Sequence, residues 1–263
     1  MLRILRSLWR WRRLVARLAR REFRARYAGS ALGAAWAVLE PAIQFGLYLF
    51  VFAYFLGMRI EESGSVSSFG LYLVAGLVPY LAFQESLLRA ASLARSNAAL
   101  VRQVSVPLEV LLAGSLGAVA ARHAIALGLV VMAAAAMGAI VWVQLPWLVL
   151  GLLLLLGLTF GLALALLPVG AFLPDIAQVV ATGTTVLFFL TPIVYPPSAL
   201  PEAVRQWLFI NPLTGLLGTF RAGIGLAAVG PGALAVSCAV TLAALLGGAW
   251  VFERRAAAVR DLV

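Results

Sequence analysis

The chain has 263 residues, of which 63% are hydrophobic and 11% charged, and a net charge of +10. Its mean hydropathy of +1.03 is outside the range of soluble globular domains and places it in a membrane. All twenty basic residues are arginine. Without lysine there is no Walker A phosphate loop and no Schiff-base chemistry. A single histidine, His123, and a single cysteine, Cys238, exclude histidine-rich metal clusters and an intrachain disulfide. These absences argue against an enzyme.

Ten of the arginines lie in the first 26 positions, offset only by Glu22. Arg3, Arg6, Arg10, Arg13, Arg17, Arg20 and Arg24 recur in steps of three and four, so they share a helix face about 100° wide. Leu8, Trp11, Val15 and Leu18 fall on the other side. The pattern predicts an amphipathic interfacial helix over residues 1–28, arginines toward phosphates and the apolar side toward acyl chains. A basic face beside a membrane segment is explained by anionic headgroups rather than by nucleic acid. The stretch is too long for a signal-peptide n-region. A mitochondrial transit peptide shares its Arg-rich, acid-poor character, but only Ser7 precedes Ser30, and Trp9 and Trp11 suit a permanent interfacial helix.

A membrane-spanning helix needs about 20 apolar residues. Candidates run approximately from Gly33 to Met58, Phe69 to Leu88, Pro107 to Trp142, Pro146 to Phe172, Ala177 to Tyr195 and Pro231 to Phe252. A further apolar stretch, Trp207 to Val229, is broken by Asn211-Pro212, Gly215, Gly218, Arg221, Gly223 and Gly225. Charge decides whether it spans. With six spans and the N-terminus inside, sixteen arginines are cytoplasmic and Arg59, Arg205 and Arg221 are outside. Arg122 then lies within the third span. A seventh span would put Arg254, Arg255 and Arg260 outside, so six spans fit the positive-inside rule better. The broken stretch, about 196–230, is then a re-entrant outer hairpin between the fifth and sixth spans. The predicted fold is an all-α membrane protein: an interfacial helix over 1–28 and a six-helix transmembrane domain over 29–263.

Residues 89–107, RAASLARSNAALVRQVSVP, join the second and third spans. Asn97 is placed to cap a short amphipathic helix over about 95–106, with Leu100, Val101 and Val104 on one face and Arg95 and Arg102 beside them. Such a helix can dock into a groove on a soluble partner, or be an ordinary basic loop. Two spans carry helical stripes: Phe45, Tyr48, Phe52 and Phe55 on the first, and Thr184, Phe188, Thr191 and Tyr195 on the fifth. Rings and hydroxyls in such stripes suit a passing sugar chain, and equally suit helix packing. Glu85 and Arg89, four apart, form an expected ion pair. Arg122 is the most expensive residue to bury and therefore a functional candidate, unless it snorkels. His123 reads as a satisfied interior histidine. Gly157-Leu-Thr-Phe-Gly161 is a small-xxx-small helix contact.

Several segments in order resemble one family, the permease subunits of ABC-2 exporters that move polysaccharides such as O-antigen, teichoic acid and capsule. Arg20 to Pro41 is similar to its opening, a basic helix leading through a Y-x-x-S-x-L-G-x-x-W element into the first span, carried here by Tyr27, Ser30, Leu32, Gly33 and Trp36. Arg95 to Pro107 resembles its coupling helix. Thr191-Pro192-Ile193-Val194-Tyr195-Pro196 followed by Asn211-Pro212-Leu213-Thr214 resembles its fifth-span exit and outer hairpin. One departure is visible: the family has Arg-Asp after the fourth span, and this chain has Pro174-Asp175, which puts any role of that arginine in doubt.

The resemblance implies a homodimer in the cytoplasmic (inner) membrane, multi-pass, with both termini in the cytoplasm. It implies two copies of a separate ATPase subunit that hold ATP and Mg, with no cofactor in this chain and no nucleic acid partner. The implied cargo is a glycan on a polyprenyl diphosphate lipid. Arg20, Arg24 and Tyr27 would meet the diphosphate at the entrance, and the two stripes would line the sugar's path. An ABC-2 exporter of a drug or simple lipid keeps the same fold. A membrane enzyme acting on lipid intermediates would need more clustered polar residues than Glu85, Asp175, Arg122 and His123 offer, and a non-transporting scaffold would lack an ATPase partner.

Overall fold

A computed structural model describes residues 1–58, 66–98, 106–140, 142–226 and 228–262. Helices dominate these residues, and no strand occurs among them. The N-terminal segment forms two helices rather than one, α1 (Leu2–Arg10) and α2 (Arg12–Tyr27), with a break at Trp11, whose φ and ψ are −98° and 14°. The seven striped arginines are all exposed, as their spacing requires. The opposite face departs from expectation. Instead of meeting acyl chains along its length, α2 lies on the third long helix, with Leu18 and Ala19 against Gly114 and Gly117. Two glycines let the helices approach closely enough for that packing to replace lipid contact.

Among the described residues, five helical stretches are long and apolar enough to cross a membrane: Gly33–Phe52, Ser68–Ser96, Leu108–Ala136, Leu145–Phe172 and Pro231–Ala256. The helices that carry them are α3 (Trp36–Tyr48, continuing as a π-helical turn over Leu49–Phe55), α4 (Val66–Ser96), α5 (Leu108–Ala136), α6 (Leu145–Phe172) and α9 (Pro231–Leu262). The expected fifth span is different. α7 (Ile176–Leu190) has 15 residues, about 22 Å of helix against a hydrocarbon core of about 30 Å. It stops because Pro192 drives Thr191 to an extended conformation, φ −105° and ψ 137°. The stretch that follows is neither a span nor a simple loop. Short exposed turns over Pro197–Ala199, Glu202–Arg205 and Leu208–Ile210 lead into α8 (Pro212–Gly223), which is buried along most of its length. Asn211 caps α8 by accepting from the Leu213 amide at 3.0 Å, with Pro212 at the first helical position.

The hub is α4. It packs against α5, α6, α7 and α8, and 78% of its apolar window is buried inside the chain, against 6% for the window through α3. Among its inward residues, Phe69, Leu73, Leu77 and Tyr80 are wholly enclosed. The most extensive helix pair is α6 with α9, and small residues make it possible. Gly161 faces the Ala244–Leu245 backbone, Gly248 faces the Gly161 carbonyl, and Gly157 meets Thr241. The Gly157–Gly161 motif is thus a helix contact, as its spacing predicts. A Cβ on Gly161 would lie 2.6 Å from the Leu245 nitrogen, where main chain rather than a flexible side chain would have to move. Gly161→Val should therefore cost about 1–3 kcal/mol or more and lower the melting temperature in detergent. Gly183→Ala, where the added Cβ meets open space, should leave melting unchanged or raise it slightly.

Candidate functional site

Two polar centres interrupt the apolar bundle. The first gathers five charged or titratable side chains from four segments: Arg26 at the end of α2, Glu40 in α3, Glu85 in α4, and Arg122 and His123 in α5. Glu85 is the junction. Its Oε2 accepts from the Arg122 guanidinium and lies 3.0 Å from His123 Nε2, while its Oε1 lies 3.9 Å from Arg26. Arg26 donates to Glu40 at 2.9 Å. A cleft of about 200 Å³ opens beside them, lined also by Gln44, Phe45 and Gln84. Two guanidiniums face two carboxylates, so a costly buried charge is balanced within the cluster.

This arrangement overturns the expected pair of Glu85 with Arg89. Arg89 instead donates to Glu22 at 2.6 Å, and Glu22 also accepts from Ser115 Oγ at 3.0 Å. The physical reason is burial. Arg122 has an 11% exposed side chain and could not be left unpaired, whereas Arg89, at 43%, can reach outward to α2. Arg122 is therefore paired inside the bundle rather than snorkelling, and His123 is satisfied by the same carboxylate.

The second centre closes the break after α7. The non-helical segment 191–195 is largely buried, and its carbonyls, freed from the helix ladder, need partners. Tyr72 Oη donates to the Pro192 and Tyr195 carbonyls at 3.3 and 3.2 Å. Arg221 Nη2 donates to the Ile193 carbonyl at 3.3 Å, while its Nε donates to the Tyr72 carbonyl at 3.2 Å. Asn211 Nδ2 donates to Thr191 Oγ1 at 2.9 Å and to the Leu190 carbonyl at 3.3 Å. The Arg221 guanidinium lies over the Tyr72 ring, 3.5 Å from its centroid. Among the described residues no carboxylate lies within ion-pair distance of Arg221. Sequence reasoning counted Arg221 among three arginines on the outer side; the structure buries it within the chain. An arginine within a Gly-rich apolar stretch was the signal that it is buried in the chain, with carbonyls as partners.

The sequence-predicted residues scatter around these centres. Arg20 and Arg24 are exposed, but Tyr27 is buried with Phe23 against its ring at 5.4 Å, so it does not present itself at a surface entrance. Phe45, Tyr48 and Phe52 are partly buried and pack toward the core, and Phe55 is exposed. Thr184 and Thr191 are buried, and Phe188 and Tyr195 pack against the same core. Tyr80 donates to the Thr184 carbonyl and meets Phe188 edge-on at 5.4 Å, and Gln84 reaches Thr184 Oγ1 at 3.2 Å. Within the single chain the α7 stripe therefore faces α4. Arg95 lies in the last turn of α4 and donates to the Ala171 carbonyl at 3.3 Å. Asn97 Nδ2 donates back to the Leu93 carbonyl at 3.0 Å, at the end of α4. Leu100, Val101, Arg102 and Val104 lie outside the described residues. Pro107 begins α5, as expected, and Asp175 stands at the start of α7 with Pro174 before it.

Glu85→Gln keeps the shape of the first centre and removes its charge. It should destabilise the chain by about 3–5 kcal/mol by leaving Arg122 uncompensated. Arg89→Gln should cost about 1 kcal/mol or less, because that pair is half exposed. Melting of the two variants in the same detergent measures the difference.

Residues 13–224, four-fifths of the chain, match the sequence profile of the ABC-2 type transporter family. An O-antigen export system permease protein, RfbA, of Myxococcus xanthus is 29% identical over 226 residues, 84% of each chain. An RfbA of Klebsiella pneumoniae is 23% identical over 79% of this chain and 78% of its own. The polysialic acid transport protein KpsM of Escherichia coli is 26% identical over 78% of each. With a helical membrane bundle of matching extent, the chain belongs to the ABC-2 type transporter family and is a membrane-integral transport subunit rather than an enzyme.

Proposed function

We propose that the chain is the permease subunit of an ATP-driven exporter that moves a lipid-linked polysaccharide across the cytoplasmic membrane. The observation that carries this reading is the agreement among relatives: those matched over more than three-quarters of both chains are named for O-antigen export or polysialic acid transport. The motor is a separate subunit. A chain without lysine cannot build a Walker A loop, so two copies of an ATPase bind ATP and Mg on the cytoplasmic side.

Two copies of the permease enclose the path. The support is the nakedness of α3, whose window is 6% buried and whose outward face carries Ile43, Leu47, Phe50 and Tyr54. α7 is similarly open along Val179, Val186, Phe189 and Leu190. Because the stripe of Thr184, Phe188, Thr191 and Tyr195 is occupied by α4, the faces available to sugars are Tyr54 and Phe55 of α3 with Thr182, Thr185 and Phe189 of α7. In this reading α7 and its extended continuation complete six crossings, both termini are cytoplasmic, and the segment through α8 is a re-entrant outer hairpin. Its carbonyls, capped by Tyr72, Arg221 and Asn211, are what a non-helical stretch at membrane depth requires. The diphosphate of a polyprenyl carrier meets the exposed Arg20 and Arg24 at the cytoplasmic leaflet.

Affinity purification from native membranes should recover an ATPase with the permease, and mass spectrometry of the bound lipid should show a glycosylated polyprenyl diphosphate. A drug-sized ligand in its place would sink the reading. In the coupling segment, Leu100→Asp with Val101→Asp should place charge in the ATPase groove and cost several kcal/mol of docking. Loss of co-purification or uncoupled hydrolysis is the expected result. Arg20→Lys with Arg24→Lys keeps the charge and removes bidentate phosphate binding. That variant should insert normally and export more slowly, as followed by surface polysaccharide.

A further inference from the structure

The cleft beside the first polar centre carries polar groups that the ion pairs do not use. Its volume is about 200 Å³, room for several waters or for one sugar ring with its hydroxyls. Three helices supply the walls: Pro41, Gln44 and Phe45 from α3, Gln84 from α4, and Arg122 and His123 from α5. Exposure falls with depth. Arg26 and Glu40 at the rim are half exposed, the Glu85 side chain is 28% exposed, and that of Arg122 on the floor is 11% exposed. The cleft therefore opens at the Arg26–Glu40 pair, near the N-terminal end of α3.

What the walls leave unpaired defines the ligand. Gln44 is half-buried and not enclosed, and its amide has no hydrogen-bond partner among the described residues. Gln84 commits its Nε2 to Thr184 Oγ1 at 3.2 Å, which leaves its Oε1 open. Glu40 accepts from Arg26 through Oε1, which leaves its Oε2 open. The open groups are thus the Gln44 amide donor and acceptor oxygens on Gln44, Gln84 and Glu40. Acceptors in excess disfavour a phosphate or a carboxylate. The guanidiniums of Arg26 and Arg122 disfavour a cation. A neutral ligand rich in hydroxyls suits every open group, because each hydroxyl donates to an acceptor and accepts in its turn. Phe45 adds an aromatic ring of the kind that lies against the C–H face of a pyranose.

Resting on the polysaccharide reading above, we propose that this cleft holds one sugar ring of the cargo, its hydroxyls on Gln44, Gln84 and Glu40 and a C–H face on Phe45. In that reading the N-terminal end of α3 is cytoplasmic, so the site is a station on the entrance side. The ion pairs of Arg26, Arg122, Glu40 and Glu85 set its floor and rim and keep it neutral.

The probe is the repeat-unit oligosaccharide released by mild acid from the surface polysaccharide of the host cell. It is added to the full chain in nanodiscs, with any co-purified subunits, and saturation-transfer NMR reads the contact. The wild type should transfer saturation to ring protons of the oligosaccharide. Gln44→Leu and Phe45→Leu should each raise the dissociation constant about tenfold. Gln44→Leu gives up no hydrogen bond within the chain, so its melting temperature should stay that of the wild type. Met132→Leu, on a 61% exposed position of α5 outside the cleft, should bind as the wild type does. Deleting the chain in the host separates this site from the reading on which it rests. Surface polysaccharide that persists after deletion overturns both. Polysaccharide lost on deletion, with oligosaccharide binding absent from the wild type or undiminished in both variants, overturns the cleft site alone.

Discussion

A polypeptide that leaves its helix inside a packed core frees carbonyls that must find partners within the protein, and the packing of α4, α7 and α8 is organised around that constraint. The break at Thr191-Pro192 frees carbonyls, and three side chains from distant parts of the chain answer those of Leu190, Pro192, Ile193 and Tyr195. Tyr72 comes from the start of α4, Asn211 from the cap of α8 and Arg221 from its last turn. The same groups hold three elements together. Asn211 simultaneously opens α8, and Arg221 joins α8 both to α4 through the Tyr72 carbonyl and to the broken segment through Ile193. α8 is too short to cross the membrane, so its burial rests on this lock as well as on its apolar side chains.

The opposite polar centre obeys the same economy with charge in place of backbone. Arg122 is isolated in α5, and α5 offers it no acid within helical reach. The acid comes from α4, which already lies at the centre of the bundle. Glu85 thereby ties α5 to α4, while Arg26 and Glu40 extend the network to the interfacial helix and α3. Arg89 and Glu22 form a parallel tie between α4 and α2. The N-terminal helices are thus bolted to the bundle by ions and glycine-assisted packing, and their arginine face remains exposed.

The same geometry separates faces by role. α4 turns nearly every side inward, which uses up the α7 stripe and most of the aromatic stripe on α3. What remains exposed on those two helices is mostly apolar and aromatic, with Glu40 on α3 and Gln178, Thr182 and Thr185 on α7.

The sequence by itself determined the membrane class, the arginine face of the N-terminal helix, four of the long helices close to their observed bounds and the Gly157–Gly161 contact. These follow from hydropathy over about 20 residues, from helical periodicity and from small-residue spacing, all of which are local properties. It also carried enough ordered motifs to indicate a transport family. The tertiary structure decided what depends on distance in space. Glu85 lies one helical turn from Arg89 in sequence, but the nearer demand is Arg122, 37 positions away, because a buried cation outranks a half-exposed one. Tyr27 is buried rather than presented because α2 lies on α5. The stripe of Thr184 and Phe188 faces α4 because Tyr80 and Gln84 stand opposite it. Arg221 is buried as an interior lock because the acceptors that hold it, the non-helical Ile193 carbonyl and the Tyr72 carbonyl of α4, are brought together by the fold alone.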